Sequence, residues 1–86
     1  MEYTKVAEID RERLIVGTKQ ILRAIEEDAV ETVIVAKDAD HFIKDTILSA
    51  LNDRNVELVY APSKAELGTL CGIKVCAASC GVKRAN

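Results

Sequence analysis

Thr32-Val33-Ile34-Val35-Ala36 is apolar throughout and mostly β-branched. A strand buried on both faces reads this way, because neither side of its pleat has to meet water. Beyond it, Ile43, Ile47, Ala50 and Leu51 recur at helical spacing and close near Asn52-Asp53. Val56, Leu58 and Tyr60 then alternate with Glu57, which predicts a strand over 56–60 that ends at Pro62. Two strands joined by a helix of about three turns form a right-handed parallel pair when they are neighbours.

Working outward, Ile21, Leu22, Ile25 and Ala29 lie on one face of a helix that opens at Thr18, a predicted N-cap. Leu14-Ile15-Val16 is a short edge strand ended by Gly17, and Tyr3, Val6 and Ile9 suggest a short amphipathic helix over 2–12. Towards the other terminus, Ser63 followed by Glu66 makes a capping box. The helix it opens carries Leu67, Leu70 and Cys71 and stops at Gly72. Residues 73–82 are expected to form a last strand of small residues, and Lys83 to Asn86 a frayed end. The order α β α β α β α β predicts an α/β fold: a three-layer α-β-α sandwich with a four-stranded mixed sheet, one domain over 1–86.

The composition limits what such a domain can do. The chain has 86 residues, 12 Lys+Arg against 14 Asp+Glu, a formal net charge of −2, and 49 % hydrophobic and 30 % charged residues. That excludes a disordered chain and a disulfide scaffold. The longest apolar runs fall far short of the roughly 20 residues that span a membrane, and no signal peptide is read at Met1 to Lys5. The three cysteines, an odd number near the C-terminus, indicate a reducing cytoplasm. Near-neutral charge argues against coating nucleic acid non-specifically, which takes many phosphate contacts. With Tyr3, Phe42 and Tyr60 the only aromatics, a platform of rings for single strands is not expected.

Chemistry in an open α/β sheet gathers at strand C-termini and helix N-termini. Gly17-Thr18-Lys19-Gln20, with Arg23 one turn on, puts cationic and amide side chains on one side of a helix start. No acidic residue lies between Arg13 and Glu26 to offset the helix dipole there. Such a start suits an anion or an electronegative base edge, or else is simply a solvated helix face. Ala36-Lys37-Asp38-Ala39-Asp40-His41 leaves the central strand beside it, and Asp38 or Asp40 is expected to cap the next helix.

Catalysis is not expected. There is no G-x-G-x-x-G, P-loop or G-x-S-x-G, and the single His41 has only Asp38 or Asp40 as a neighbouring acid. Cys71, Cys76 and Cys80 are spaced C-x₄-C-x₃-C without an adjacent His, so they read as buried small hydrophobes and not as metal ligands. No cofactor is implied.

Gly17-Thr18-Lys19-Gln20-Ile21-Leu22-Arg23-Ala24-Ile25, Val33-Ile34-Val35-Ala36-Lys37-Asp38-Ala39-Asp40, Ser63-Lys64-Ala65-Glu66-Leu67-Gly68 and Cys71-Gly72-Ile73-Lys74-Val75 follow one another in an order and spacing that resembles the kink-turn RNA-binding ribosomal protein family, that of ribosomal protein "L-seven-Ae". The likeness spans essentially the whole chain and looks most like the short bacterial members, with Thr-Lys-Gln where archaeal members have Ala-Asn-Glu. It implies an α-β-α sandwich and binding of a kink-turn, a helix–bulge–helix with tandem sheared G·A pairs and a flipped bulge nucleotide. The partner implied is a structured RNA, ribosomal or other non-coding, bound by a monomer. A protein-docking module of the same fold is the alternative.

By the same resemblance, Gly17 and Thr18 open the binding motif, Lys19 and Gln20 contact the sheared guanines, and Arg23 reaches guanine acceptors. Asp40 faces the flipped nucleotide, Ile73-Lys74-Val75 covers it, and Lys37, Lys64 and Lys74 offset phosphate charge. Lys19 stands for a neutral Asn, Gln20 for a carboxylate, and His41 follows Asp40 where a Pro is usual, so the hydrogen-bond pattern differs in detail.

Overall fold

The computed structural model describes residues 5, 8–52, 54–73 and 77–84. Its centre is strand β2, Val30–Ala36, in which every residue except Glu31 is buried. On one side β2 pairs in parallel with β3, Glu57–Ala61, in the register Thr32↔Glu57 to Ala36↔Ala61. On the other it pairs antiparallel with β4, Ser79–Lys83, with Val35 opposite Ser79 and Val33 opposite Gly81. β4 pairs antiparallel with β1, Leu14–Val16, and the sheet order is β1-β4-β2-β3. The mixed four-stranded sheet and the parallel pair expected from 32–36 and 56–60 are both present.

Directly opposed residues share a sheet face and consecutive ones alternate, so Val33, Val35, Ser79 and Gly81 point one way, Ile34 and Cys80 the other. A Cβ at Gly81 would sit 3.5 Å from Ile21 Cγ1 and 3.4 Å from Val30 Cγ2. Helix α1, Thr18–Glu26, therefore covers the Gly81 face, packed down where β4 has no side chain. Helix α2, His41–Leu51, packs against α1. Helix α3, Lys64–Leu70, lies against β3 and β4. Just past its end, Cys71 meets Cys80 on the opposite face from Gly81. The Cys80 thiol donates to the Gly81 carbonyl at 3.7 Å, and the two sulfurs shift each other in opposite directions: Cys80 lowers the Cys71 pKa, while Cys71 and burial push Cys80 far above the ordinary thiol range. Both are free and buried. Helices thus cover both faces, and Ile21, Ile25, Val33, Ile34, Val35, Ile47 and Leu67 fill the interior with almost no exposed surface.

Several limits differ from those read in the sequence. The helix expected over 2–12 is not what the described part of that stretch forms. Lys5 and Glu8 are in 3₁₀ conformation, Asp10 is extended (φ −58°, ψ 134°), and Arg11–Arg13 makes a further single 3₁₀ turn. Three apolar residues on a short segment bury too little to sustain an isolated helix. α1 ends at Glu26, not at Ala29: Asp28 takes a positive φ of 56° and Ala29 is exposed. Thr18 is the first helical residue rather than the cap, and Gly17 holds the cap position with φ 112° and ψ 129°. The last strand starts at Ser79 and not at 73, while Lys74, Val75 and Cys76 lie outside the described residues. The capping box is as read: Ser63 Oγ accepts from the Glu66 N–H at 3.1 Å.

The register also fixes which loops meet. Val16 is opposite Cys80, Val35 opposite Ser79 and Ala36 opposite Ala61. The ends of β1, β2 and β3 and the beginning of β4 therefore lie along one end of the sheet. The loops that open α1, α2 and α3 all leave from that end.

Candidate nucleic-acid interface

Gly17 begins the site. Its φ of 112° is one that side-chain-bearing residues rarely adopt, and it turns the chain sharply from β1 into α1. The Gln20 side chain folds back over it, with Oε1 2.5 Å from where a Gly17 Cβ would stand. No side chain caps the α1 N-terminus and no acid sits in its first turn. The positive dipole end there is joined by the cationic Lys19 and Arg23, a combination that favours an electronegative ligand.

Lys19, Gln20 and Arg23 are exposed and together line an open recess of about 310 Å³. Arg23 Nε is 3.9 Å from Glu27 Oε1, with the two side chains 84 % and 65 % exposed. A pair this long and wet holds the guanidinium weakly. Gln20 and Arg23 also border a larger, mainly apolar groove of about 490 Å³ against Leu14, Ile15 and Val16 of the edge strand.

Thr18 turns inward instead. Its Oγ1 lies 3.4 Å from Ser79 Oγ, and Gly17, Thr18, Ala77, Ala78 and Ser79 share a small depression. The start of α1 therefore lies alongside the turn that enters β4.

Lys37 and Asp40 stand exposed in the β2–α2 loop at the same end of the sheet. Asp40 occupies the N-cap position of α2 without a side-chain hydrogen bond to it. Asp38 is committed elsewhere: its Oδ1 accepts the Lys64 N–H at 2.8 Å and so caps α3. The Lys44 ammonium donates to the Lys37 carbonyl and ties the loop back to α2. Lys37 has no ion pair among the described residues.

Ile73 is placed differently. Its N–H donates to Gly68 O at the far end of α3, and its side chain is half-buried against the core. Ala77, by contrast, donates its N–H to Lys64 O at the start of that helix. Gly17 through Arg23, Lys37 and Asp40 thus share one end of the sheet, whereas Ile73 is set back by the length of α3.

Two features of the site escaped the sequence. The Asp38–Lys64 bond joins residues 26 apart, and no local pattern announces it. Phe42, next to Asp40 and His41, is 77 % exposed, although an aromatic residue in a helix is ordinarily a candidate for the core. Among the described residues, no group of three His, Cys, Asp or Glu could hold a metal ion, and no helix is long and apolar enough to cross a membrane.

The chain is similar to known proteins in sequence and in fold. Residues 1–86 match the ribosomal protein L7Ae/L30e/S12e/Gadd45 family. An RNA-binding protein of Geobacillus thermodenitrificans is 38 % identical over 84 residues, 98 % of this chain and 100 % of that one. One from Bacillus pumilus is 34 % identical over 82 residues, 95 % and 98 % of the two chains. Among solved structures, the Giardia lamblia 15.5kD RNA binding protein superposes with a TM-score of 0.82 at 25 % identity, covering 98 % of this chain and 69 % of that one. A Bacillus halodurans protein of unknown function has the same fold, with a TM-score of 0.85 at 21 % identity, covering 96 % of this chain and 85 % of that one. With a whole-length family match, close bacterial relatives and a shared sandwich, the chain belongs to the ribosomal protein L7Ae/L30e/S12e/Gadd45 family.

Proposed function

We propose that this protein binds structured RNA and recognises the kink-turn, holding its bent conformer. The observation that carries the reading is the uncapped, acid-free start of α1, where Lys19, Gln20 and Arg23 surround one open recess. Arg23 suits guanine O6 and N7, the commonest base-specific contact of a guanidinium. Gln20 can both donate and accept, as a sheared G·A pair requires. Lys19 lies beside Gln20 to meet the same guanines, Lys37 answers the phosphates that a sharp bend crowds together, and Asp40 accepts from a base N–H. Affinity for the bent form alone draws the RNA population towards it. Support comes also from the relatives named RNA-binding proteins and from the Giardia RNA-binding neighbour.

The test is a titration of a kink-turn RNA against the same RNA with its G·A pairs replaced by Watson–Crick pairs. Clear preference for the kink-turn is expected, and equal affinity would refute recognition. The docking-module alternative looked to an exposed apolar patch at Ile73 and Val75. Ile73 is half-buried, and Val75 lies outside the described residues.

A further inference from the structure

We propose that Phe42 is a stacking platform for one unpaired nucleobase at the edge of the RNA site. The inference rests on the RNA-binding reading and extends it. At 77 % exposure, Phe42 is the most exposed large hydrophobic residue described, well ahead of Tyr60 at 44 %. The fold does not use the ring. α2 packs through Ile43, Ile47, Ala50 and Leu51, and Phe42 is turned about 100° from Ile43 around the helix. Its helical neighbours on the same side are Asp45 and Thr46, so the ring has no apolar companion on α2 with which to form a protein-docking patch.

Its position favours a base. α1 and α2 pack side by side and both begin at the end of the sheet that carries Lys19, Gln20 and Arg23. Packed helices stand roughly 8–10 Å apart, so an RNA seated on the first turn of α1 reaches the first turn of α2. Side chains in a helix lean towards its N-terminus, which here aims the ring at the loop of Lys37 and Asp40. That first turn is held by the Thr46 hydroxyl, which donates to the Phe42 carbonyl at 2.7 Å. An exposed ring presenting a bare face among polar residues matches the π-face of a base. Paired bases hide their faces inside the stack, so the ligand is an unpaired nucleotide flanking the kink. One ring makes one contact, which agrees with the scarcity of aromatics in this chain.

The experiment uses the full chain with Phe42→Ala, Phe42→Leu and Phe42→Trp, titrated into a kink-turn RNA bearing 2-aminopurine at each unpaired nucleotide in turn. Circular dichroism melts accompany each variant and are expected to match wild type, because the ring is outside the core. Phe42→Ala and Phe42→Leu should weaken binding about tenfold and abolish the quenching of one 2-aminopurine, while Phe42→Trp retains both. If wild type prefers the kink-turn but Phe42→Ala binds within twofold of it, or Phe42→Leu quenches as wild type does, stacking is overturned and the RNA-binding reading stands. If wild type shows no preference for the kink-turn over its Watson–Crick control, both fall together.

Discussion

Thr18 Oγ1 and Ser79 Oγ stand 3.4 Å apart, joining the first residue of α1 to the first residue of β4 across 61 positions of chain. Ser79 is 2 % exposed, so its hydroxyl has little access to water and depends on this partner. Thr18→Val keeps the shape and removes the hydroxyl. It should lower unfolding stability by about 1–3 kcal/mol, read as a shift of the urea midpoint at constant m-value. An unmoved midpoint would show that the contact holds nothing.

Gly17 tests the turn itself. Its φ of 112° is strained for any residue with a Cβ, so Gly17→Ala should cost about 1–3 kcal/mol of stability. The Gln20 side chain must also move off the new methyl, so RNA affinity should fall along with stability. A variant as stable as wild type would mean that the turn relaxes freely.

Asp38 is a structural cap in this account and not an RNA contact. Asp38→Ala removes the acceptor for the Lys64 N–H and should cost about 0.5–2 kcal/mol, whereas Asp38→Asn, which keeps an oxygen there, should cost less. Chemical denaturation of the pair decides this. Asp38→Asn as damaging as Asp38→Ala would point to a role for the charge.

How much of this could be read in advance depended on distance along the chain. The β-branched run 32–36 and the Ser63–Glu66 box are local signals, and both appear as read. The four-stranded mixed sheet followed from the order of such runs. The limits that slipped were set by tertiary contact: β4 begins where Ser79 finds Val35 and Thr18, not where the small residues begin. Of the two acids read as caps for α2, Asp40 holds the N-cap position and Asp38 serves α3 instead. At the site, Lys19, Gln20 and Arg23 were legible because they lie within two turns of one helix. Lys37 and Asp40 needed the strand register to place them at the same end, and Phe42 gave no signal that it would stay outside the core.

Arg23 separates binding from folding. Its side chain is 84 % exposed and its 3.9 Å pair with Glu27 is solvent-screened, so Arg23→Ala should leave stability within about 0.5 kcal/mol of wild type. The same change should weaken kink-turn binding by about 1–3 kcal/mol at fixed ionic strength. Unaltered affinity would remove Arg23 from the interface.

The most direct measurement follows the RNA and not the protein. A kink-turn duplex labelled with a donor and an acceptor dye on its two arms, held at low salt where it is extended, reports bending as energy transfer while protein is added. The account predicts a saturable rise in transfer for the kink-turn, none for the duplex with Watson–Crick pairs in place of its G·A pairs, and a displaced titration with Arg23→Ala. Binding that saturates without bringing the arms together, or that bends both duplexes alike, would contradict it.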